Sequence, residues 1–415
     1  TRDETTGRKI LDYEGNWRDL FQNWEALAHA YPEYIDGMIF KFLNASTFDG
    51  YNPYRVTKSG YDWETIEPDN PWSYIGYWGD HQVIYLLKFL EFAENYTPGL
   101  LEKYFDKDLF VYAAVPYVIK PYGALLENPH DTIEFDQNWH DSIEESRKKL
   151  GADGALLKTE DNDIYKVNLI EKLLAITLSK LSNFIPEVGI WMNTQRPEWN
   201  DANNALVGNG VSMVTLNYLR RFLGHFLSML EKTDIDRVNI SNEIREFYHD
   251  IRDGLDTYKP CLESTFSDEQ RKAVLDHLGK AASDYRVRIY KKGFWGKKST
   301  VSISSLKGFL KTSLAYLDHS IKANKRQDKL YHSYNIMSLH ENGIAVSHLN
   351  EMLEGQVAVL SSGVLSSKES LEVLDSLRNS QLYRKDQNSY ILYPNNELPG
   401  FLQKNNIPKD RVSSS

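Results

Sequence analysis

The sequence predicts an all-α fold built from two concentric shells of helices. Three observations carry this expectation. Apolar residues recur at three- and four-residue spacing through most of the chain. Some of these stretches are apolar on nearly every side while others carry a single stripe, as buried inner and half-exposed outer helices would. Strand signals are short and isolated.

The elements follow in order. Val83 to Ala93 brings Ile84, Leu86, Leu87, Phe89, Leu90 and Phe92 round all faces, predicting a buried helix. Asn168 to Leu181 spaces Ile170, Leu173, Leu174, Thr177, Leu178 and Leu181 as one helical pattern. A third helix is expected from Asp201, through Val211, Val214, Leu219, Phe222, Phe226 and Leu230, and a fourth over Ser241 to Asp250. Ser267 with Gln270 reads as a capping box, as does Ser366 with Glu369 ahead of Leu371, Leu374 and Leu377. Ile303, Leu306, Leu310, Leu314, Leu317 and Ile321 form one stripe, opposed by Lys307, Lys311 and Asp318. The strand candidates are Leu109 to Ile119, broken by Pro116, Arg286 to Tyr290 and Tyr390 to Tyr393. With no repeat and no low-complexity linker, residues 1–415 read as a single helical catalytic domain. Its aromatic-rich substrate loop covers 51–80 and its acid-bearing loop 191–203. The start at Thr1 and the close on Val412-Ser413-Ser414-Ser415 suggest a truncated piece of a longer chain.

Composition narrows the function. The chain has 415 residues and a net charge of −10, which argues against a general nucleic-acid binder. Cys261 is the only cysteine, so intramolecular disulfides and cysteine-rich zinc sites are impossible; a reducing, cytoplasmic setting fits. No run of about 18 apolar residues predicts a membrane span. No helix-borne His pair points to a metal, and no nucleotide loop or nucleophile elbow occurs, so neither cofactor nor metal is expected. The outlier is aromatic content, with 9 Trp and 26 Tyr. Such rings offer a flat apolar face and a polar handle, which suits the C–H patches and hydroxyls of sugars.

Three clusters join aromatics to carboxylates. Arg196-Pro197-Glu198-Trp199-Asn200-Asp201 offers an acid to protonate a glycosidic oxygen, an indole to carry the ring and an amide to read hydroxyls. Pro197 disfavours helix at Arg196, so a helix starts near Asp201, where the dipole stabilises the carboxylate. Burial against Trp199 and the charge of Glu198 work the other way and raise the pKa. Residues 51–80 gather Tyr51, Tyr54, Tyr61, Trp63, Trp72, Tyr74, Tyr77 and Trp78 with Asp62, Glu64, Glu67, Asp69 and Asp80 on a Gly- and Pro-punctuated loop, which predicts a cleft lining. Tyr77, Trp78 and Asp80 close it, with Asp80 poised to cap the next helix. Earlier, Trp17, Arg18 and Asp19 lead a stripe with Phe21 and Trp24; the stripe reads as core, and the Arg–Asp pair as a means of orienting a hydroxyl.

Glu198-Trp199-Asn200-Asp201 resembles the Asp-Trp-Asn-Asp signature of cellobiose-phosphorylase-type enzymes, with Glu for the first Asp. Trp17-Arg18-Asp19 resembles the Trp-Gly-Arg-Asp pattern of amylo-α-1,6-glucosidase-type enzymes without its Gly, and Trp78-Gly79-Asp80 is similar to the substrate-gripping Trp-Asp motifs of the same class. The resemblance covers roughly residues 10–230. It implies an (α/α)6 toroid of the six-hairpin glycosidase kind, incomplete at its C-terminal end. It also implies an acid in the 198–201 stretch, Asp201 or else Glu198, with Trp17, Arg18, Asp19, Tyr77, Trp78, Asp80, Arg196, Trp199 and Asn200 as substrate-binding residues.

These readings lead to an expected carbohydrate-active enzyme that cleaves a glycosidic bond with inversion, hydrolysis favoured. Its substrate would be an oligosaccharide or glycoside. Hydrolysis would need a base carboxyl about 6.5–9.5 Å from the acid, for which Glu341 and Asp19 are candidates. The alternative is phosphorolysis, with His340, Arg196 and the Ser361-Ser362-Gly363 turn as phosphate contacts. The rival of another class is a non-catalytic helical module that binds glycans or a protein.

Overall fold

The computed structural model describes residue 6 and residues 14–53, 55–58, 60–67, 69, 82–159, 161–193, 206–395 and 398–407, with the backbone alone of Glu14 and Arg18. β1 (Glu14–Asn16) runs straight into α1 (Trp17–Ala30), where the Asn16 side chain caps the helix by accepting from Asp19 N. α2 (Ile35–Asn44) buries Ile35, Ile39, Phe42 and Leu43 along one face. β2 (Arg55–Thr57) and β3 (Gly60–Asp62) form a hairpin, and β1 adds to β2 in a three-stranded antiparallel sheet. Part of the expected 51–80 loop is therefore regular strand.

α3 (Gln82–Tyr96) is the buried helix predicted from Val83 onward, although Lys88 reaches solvent to pair with Glu25. The Leu109–Ile119 candidate is two strands: β4 (Phe110–Val111) and β5 (Tyr117–Ile119), with Pro116 between them. α4 (Tyr122–Glu127), β6 (Ile133–Phe135), α5 (Gln137–Leu150) and β7 (Lys166–Val167) follow; β6 pairs with β5 and β7 with β4. α6 (Leu169–Leu181) fills the predicted Asn168–Leu181 stretch, and Asn168 caps it by accepting from Glu171 N. Every residue of α6 is buried, Glu171, Lys172, Thr177, Ser179 and Lys180 included. At about 1.5–3 kcal/mol per buried leucine or isoleucine, its Leu169, Ile170, Leu173, Leu174, Ile176 and Leu178 make it a main contributor to the core.

β8 (Phe184–Ile185), β9 (Gly189–Trp191) and β10 (Gly210–Ser212) come next, and Ser212 caps α7 (Met213–Lys232). Val211, expected in that helix, lies instead on β10. β11 (Arg237–Ser241) leads into α8 (Asn242–Tyr258), and α9 (Asp268–Lys292) opens with the predicted Ser267–Gln270 capping box. The strand expected over Arg286 to Tyr290 is the last part of α9. β12 (Lys298–Ser302) pairs with β11 and precedes α10 (Ile303–Ala323), which buries Ile303, Leu306, Leu310, Leu317 and Ile321 of the predicted stripe. β13 (Tyr334–His340) and β14 (Gly343–His348) form a hairpin, followed by α11 (Leu353–Ser361) and α12 (Ser367–Asn379) with its Ser366–Glu369 capping box. Leu377 of α12 is buried while Leu371 and Leu374 are exposed. β15 (Tyr383–Arg384), β16 (Ser389–Tyr390) and α13 (Phe401–Lys404) end the described chain.

The all-α expectation, and with it the six-hairpin toroid, is overturned by a five-stranded antiparallel sheet of order β14-β13-β10-β9-β8. The architecture is mixed α/β. β8, β9 and β10 are buried along their whole length. Strands without a wet face show no alternation, and apolar runs this short read like pieces of helix. β13 lies far along the chain from β10, so the pairing leaves no local trace. The main hydrophobic core draws on residues from Trp17 to Leu382, and a smaller cluster of Met192, Val214, Tyr334, Met352 and Ala358 lies apart from it. Among the described residues no helix is long and apolar enough to cross a membrane.

Candidate functional site

The acid-bearing stretch is the connection between two neighbouring strands. β9 and β10 pair antiparallel, and the pairing continues past both ends: Met192 N donates to Gly210 O at 3.0 Å and Gly208 N to Met192 O at 2.8 Å. The Trp191 indole donates to Gly208 O at 2.6 Å. Gly208 has φ +90°, and a Cβ there would meet the His130 ring at 2.7 Å, so only glycine fits this base. The described residues on either side of 194–205 are thus clamped together on a buried sheet.

Asn193 stands at the outgoing end. Asn183 Nδ2 faces the Ser179 carbonyl, which can only accept, and Tyr51 Oη at 3.3 Å. Asn183 Oδ1 is thereby turned toward Asn193 Nδ2, which donates to it at 2.8 Å. Thr132 Oγ1 donates to the Asn193 carbonyl. All of these side chains are buried.

The aromatic segment is anchored beside it. Gln82 is the first described residue after 70–81 and the first of α3. Its Nε2 donates to Asn52 Oδ1 at 2.5 Å, while Asn52 Nδ2 donates to the Phe42 carbonyl at 3.1 Å. That carbonyl fixes the Asn52 amide and, through it, the Gln82 amide. Gln82 Oε1 is left buried with no donor among the described residues. Residues 51 and 52 therefore carry one tie each: Tyr51 toward the 194–205 connection and Asn52 toward the 70–81 segment.

The turn that presents them is built for close approach. Gly50 has φ +83°, and a Cβ there would lie 2.5 Å from Ser179 Cβ. Asp49 is buried; it accepts from Thr47 Oγ1 and, at 2.6 Å, from Tyr290 Oη. Burial pushes its carboxyl up, against the opposing pull of Thr47, Tyr290 and the Arg286 guanidinium. Burial likewise raises the Tyr51 phenol. The Lys180 ammonium lies 5.0 Å from the Tyr51 ring centroid. The result is a buried polar centre of amides, a phenol, a carboxyl and cations whose groups are oriented by one another and by backbone carbonyls.

No protein-family model matches the chain, and a search of curated proteins finds no match. The geometry stands on its own.

The sequence-predicted residues divide as follows. Arg196, Glu198, Trp199, Asn200 and Asp201, with Tyr77, Trp78 and Asp80, lie outside the described residues, as does the Arg18 side chain. Trp17 is buried against Phe42 and donates its indole N–H to Pro53 O at 3.0 Å. Asp19 is exposed in the first turn of α1, and its carboxylate accepts from Asn16 Nδ2 at 2.9 Å. His340 and Glu341 are exposed at the tip of the β13–β14 hairpin, apart from the buried amides. The Ser361-Ser362-Gly363 turn ends α11 against Arg220, which donates to Ser362 O at 3.1 Å. Of the aromatic loop, Tyr51, Tyr61 and Trp63 are buried, with Arg147 4.4 Å over the Trp63 ring. Among the described residues no group of His, Cys, Asp or Glu side chains could hold a metal ion. Sequence reasoning missed Asp49, Asn52, Gln82, Asn183, Asn193 and Arg286. The available signal was a run of amides and hydroxyls inside otherwise apolar stretches, where a buried polar side chain needs a partner.

Proposed function

We propose that this chain is a carbohydrate-active enzyme that cleaves a glycosidic bond with inversion, by hydrolysis in preference to phosphorolysis. The observation that supports this reading is the joint anchoring at Tyr51 and Asn52. The described residues that flank the two segments the sequence nominates, Asn193 and Gln82, are both tied to the 51–52 turn, Asn193 through Asn183 and Tyr51 and Gln82 through Asn52. Asp201, with Glu198 as substitute, protonates the departing oxygen. Arg196, Trp199, Asn200, Tyr77, Trp78 and Asp80 grip the sugar, and Arg18 with Asp19 extends that grip. The substrate is an oligosaccharide or glycoside, and the net charge of −10 argues against nucleic acid as a partner. The single cysteine is the ground for a cytoplasmic site of action.

The test pairs a glycan panel, with and without inorganic phosphate, with the double variant Asp201→Asn, Glu198→Gln. Turnover without phosphate that disappears in the variant, while sugar binding persists, supports hydrolysis. A sugar 1-phosphate formed only with phosphate moves the assignment to a phosphorylase. Turnover that survives both substitutions overturns the proton-donor assignment. Binding with no turnover by the native chain overturns the enzyme reading in favour of a glycan-binding module.

A further inference from the structure

A second polar network lies at the other edge of the five-stranded sheet. Asn324, just after α10, donates through Nδ2 to the carbonyls of Glu187 and Ser320. Its Oδ1 therefore faces Asn335 Nδ2, which donates to it at 2.9 Å and to the Val188 carbonyl at 2.7 Å. Asn335 Oδ1 is then an acceptor, and His348 Nδ1, 2.6 Å away, must carry a proton. His348 is the last residue of β14 and the ladder partner of Asn335. The His332 ring, from the loop that leaves α10, lies flat on it, with centroids 4.0 Å apart and planes 12° apart.

We propose that the stacked His332–His348 pair is an acid-released fastening that holds β14 against the loop leaving α10. A further proton on His332 is disfavoured at Nδ1, which is buried without a partner among the described residues, while His348 Nδ1 already carries the proton it gives to Asn335. The charged groups that face the pair are mainly cationic: Arg326 from the loop and Arg271 from α9. The neighbouring carboxylates are engaged. Asp328 and Glu351 pair with Arg326, Asp268 pairs with Arg271, and Glu187 pairs with Arg271 and His319. The Leu349 carbonyl and Asp328 favour a proton on His332, but burial, His348 and Arg326 outweigh them and lower it to about 4. Burial, then Arg271 and Arg326, lower His348. The sign follows. A histidine whose folded value lies below its ordinary value of 6.5 adds stability above that value. The contribution is lost as pH falls toward the folded value. The device is independent of the proposed catalytic function, because it concerns the β13–β14 edge alone.

The test is hydrogen exchange of β14 amides, with thermal melts, on the full chain at pH 7.5, 6 and 5, for the native protein and His332→Phe. The expected result is that native β14 loses protection selectively on acidification, whereas the phenyl ring, which stacks but cannot be protonated, keeps most of it. Parallel loss in both proteins overturns the proposal. Should the variant fail to fold, NMR titration of the native His332 ring decides the matter. A midpoint at least one pH unit below the ordinary value supports the fastening, and a midpoint at that value overturns it.

Discussion

Asn193 donates its side-chain amide to Asn183 Oδ1 at 2.8 Å, tying the outgoing end of the β9–β10 connection to the turn after α6. Asn183 in turn reaches Tyr51 and the Ser179 carbonyl. Replacing Asn183 with Leu strands the Asn193 amide in a buried setting, and the loss of a buried partner costs about 1–3 kcal/mol. Urea denaturation of Asn183→Leu should show that loss. Limited proteolysis should also cut faster between 193 and 206 in the variant. Equal midpoints and equal cleavage rates would show that the tie carries nothing.

Gly50 faces Ser179 with no room for a methyl group and a backbone that disfavours one. Gly50→Ala meets a φ of +83° and a Cβ contact of 2.5 Å. Left-handed strain of about 1–2 kcal/mol and overpacking of about 1–3 kcal/mol combine in one variant. Adding Ser179→Gly removes the Ser179 contact but neither the strain nor the 3.0 Å approach to the Ala175 carbonyl, so the double variant should recover part of the lost stability. Complete recovery in thermal melts would refute the backbone share.

How far the chain could be read from its sequence depended on what each signal needed. Helices with a local signature were legible: Ser267 and Ser366 cap where the sequence places them, and the buried periodicity of Val83–Ala93 forms α3. The sheet was not legible, because Phe184–Ile185 and Gly210–Ser212 have no wet face and hence no alternation. Arg286–Tyr290 read as a strand because β-branched and aromatic residues cluster there, yet packing carries α9 through it. The polar centre escaped because Asn52, Gln82, Asn183 and Asn193 are far apart in sequence, and their meaning lies in which carbonyls orient them. Trp17 was nominated both as core and as a sugar contact; it is buried, with its N–H on Pro53.

Glu187 holds φ +63° while its carboxylate accepts from Phe266 N, His319 Nε2 and Arg271. Removing a buried partner of this kind costs about 3–5 kcal/mol. Both Glu187→Ala and Glu187→Gly should therefore be destabilised. Glycine tolerates the left-handed backbone, so it should be the better of the two by about 1 kcal/mol. Thermal melts should rank the native chain first, Glu187→Gly second and Glu187→Ala third. An alanine variant as stable as the glycine variant would mean that the local backbone relaxes.

Lys172 is buried in the first turn of α6, where its ammonium donates to Val111 O at 2.7 Å and Ser46 O at 3.1 Å and sits 3.9 Å over the Tyr112 ring. Burial holds it well below the ordinary lysine value of 10.5, and the neighbouring Glu171 opposes that shift without overcoming it. Folding therefore favours the neutral amine. Between the lowered folded value and 10.5 the unfolded chain binds a proton that the native chain does not, so stability rises with pH across that window. Lys172→Met keeps the side-chain length and removes the titration. The native chain should gain on this variant as pH rises from 7 to 9.5, by at most about 1.4 kcal/mol per pH unit. Paired urea unfolding at the two pH values measures the gain. A stability difference that does not change with pH would place the titration of Lys172 at its ordinary value and remove burial as the dominant influence on this group.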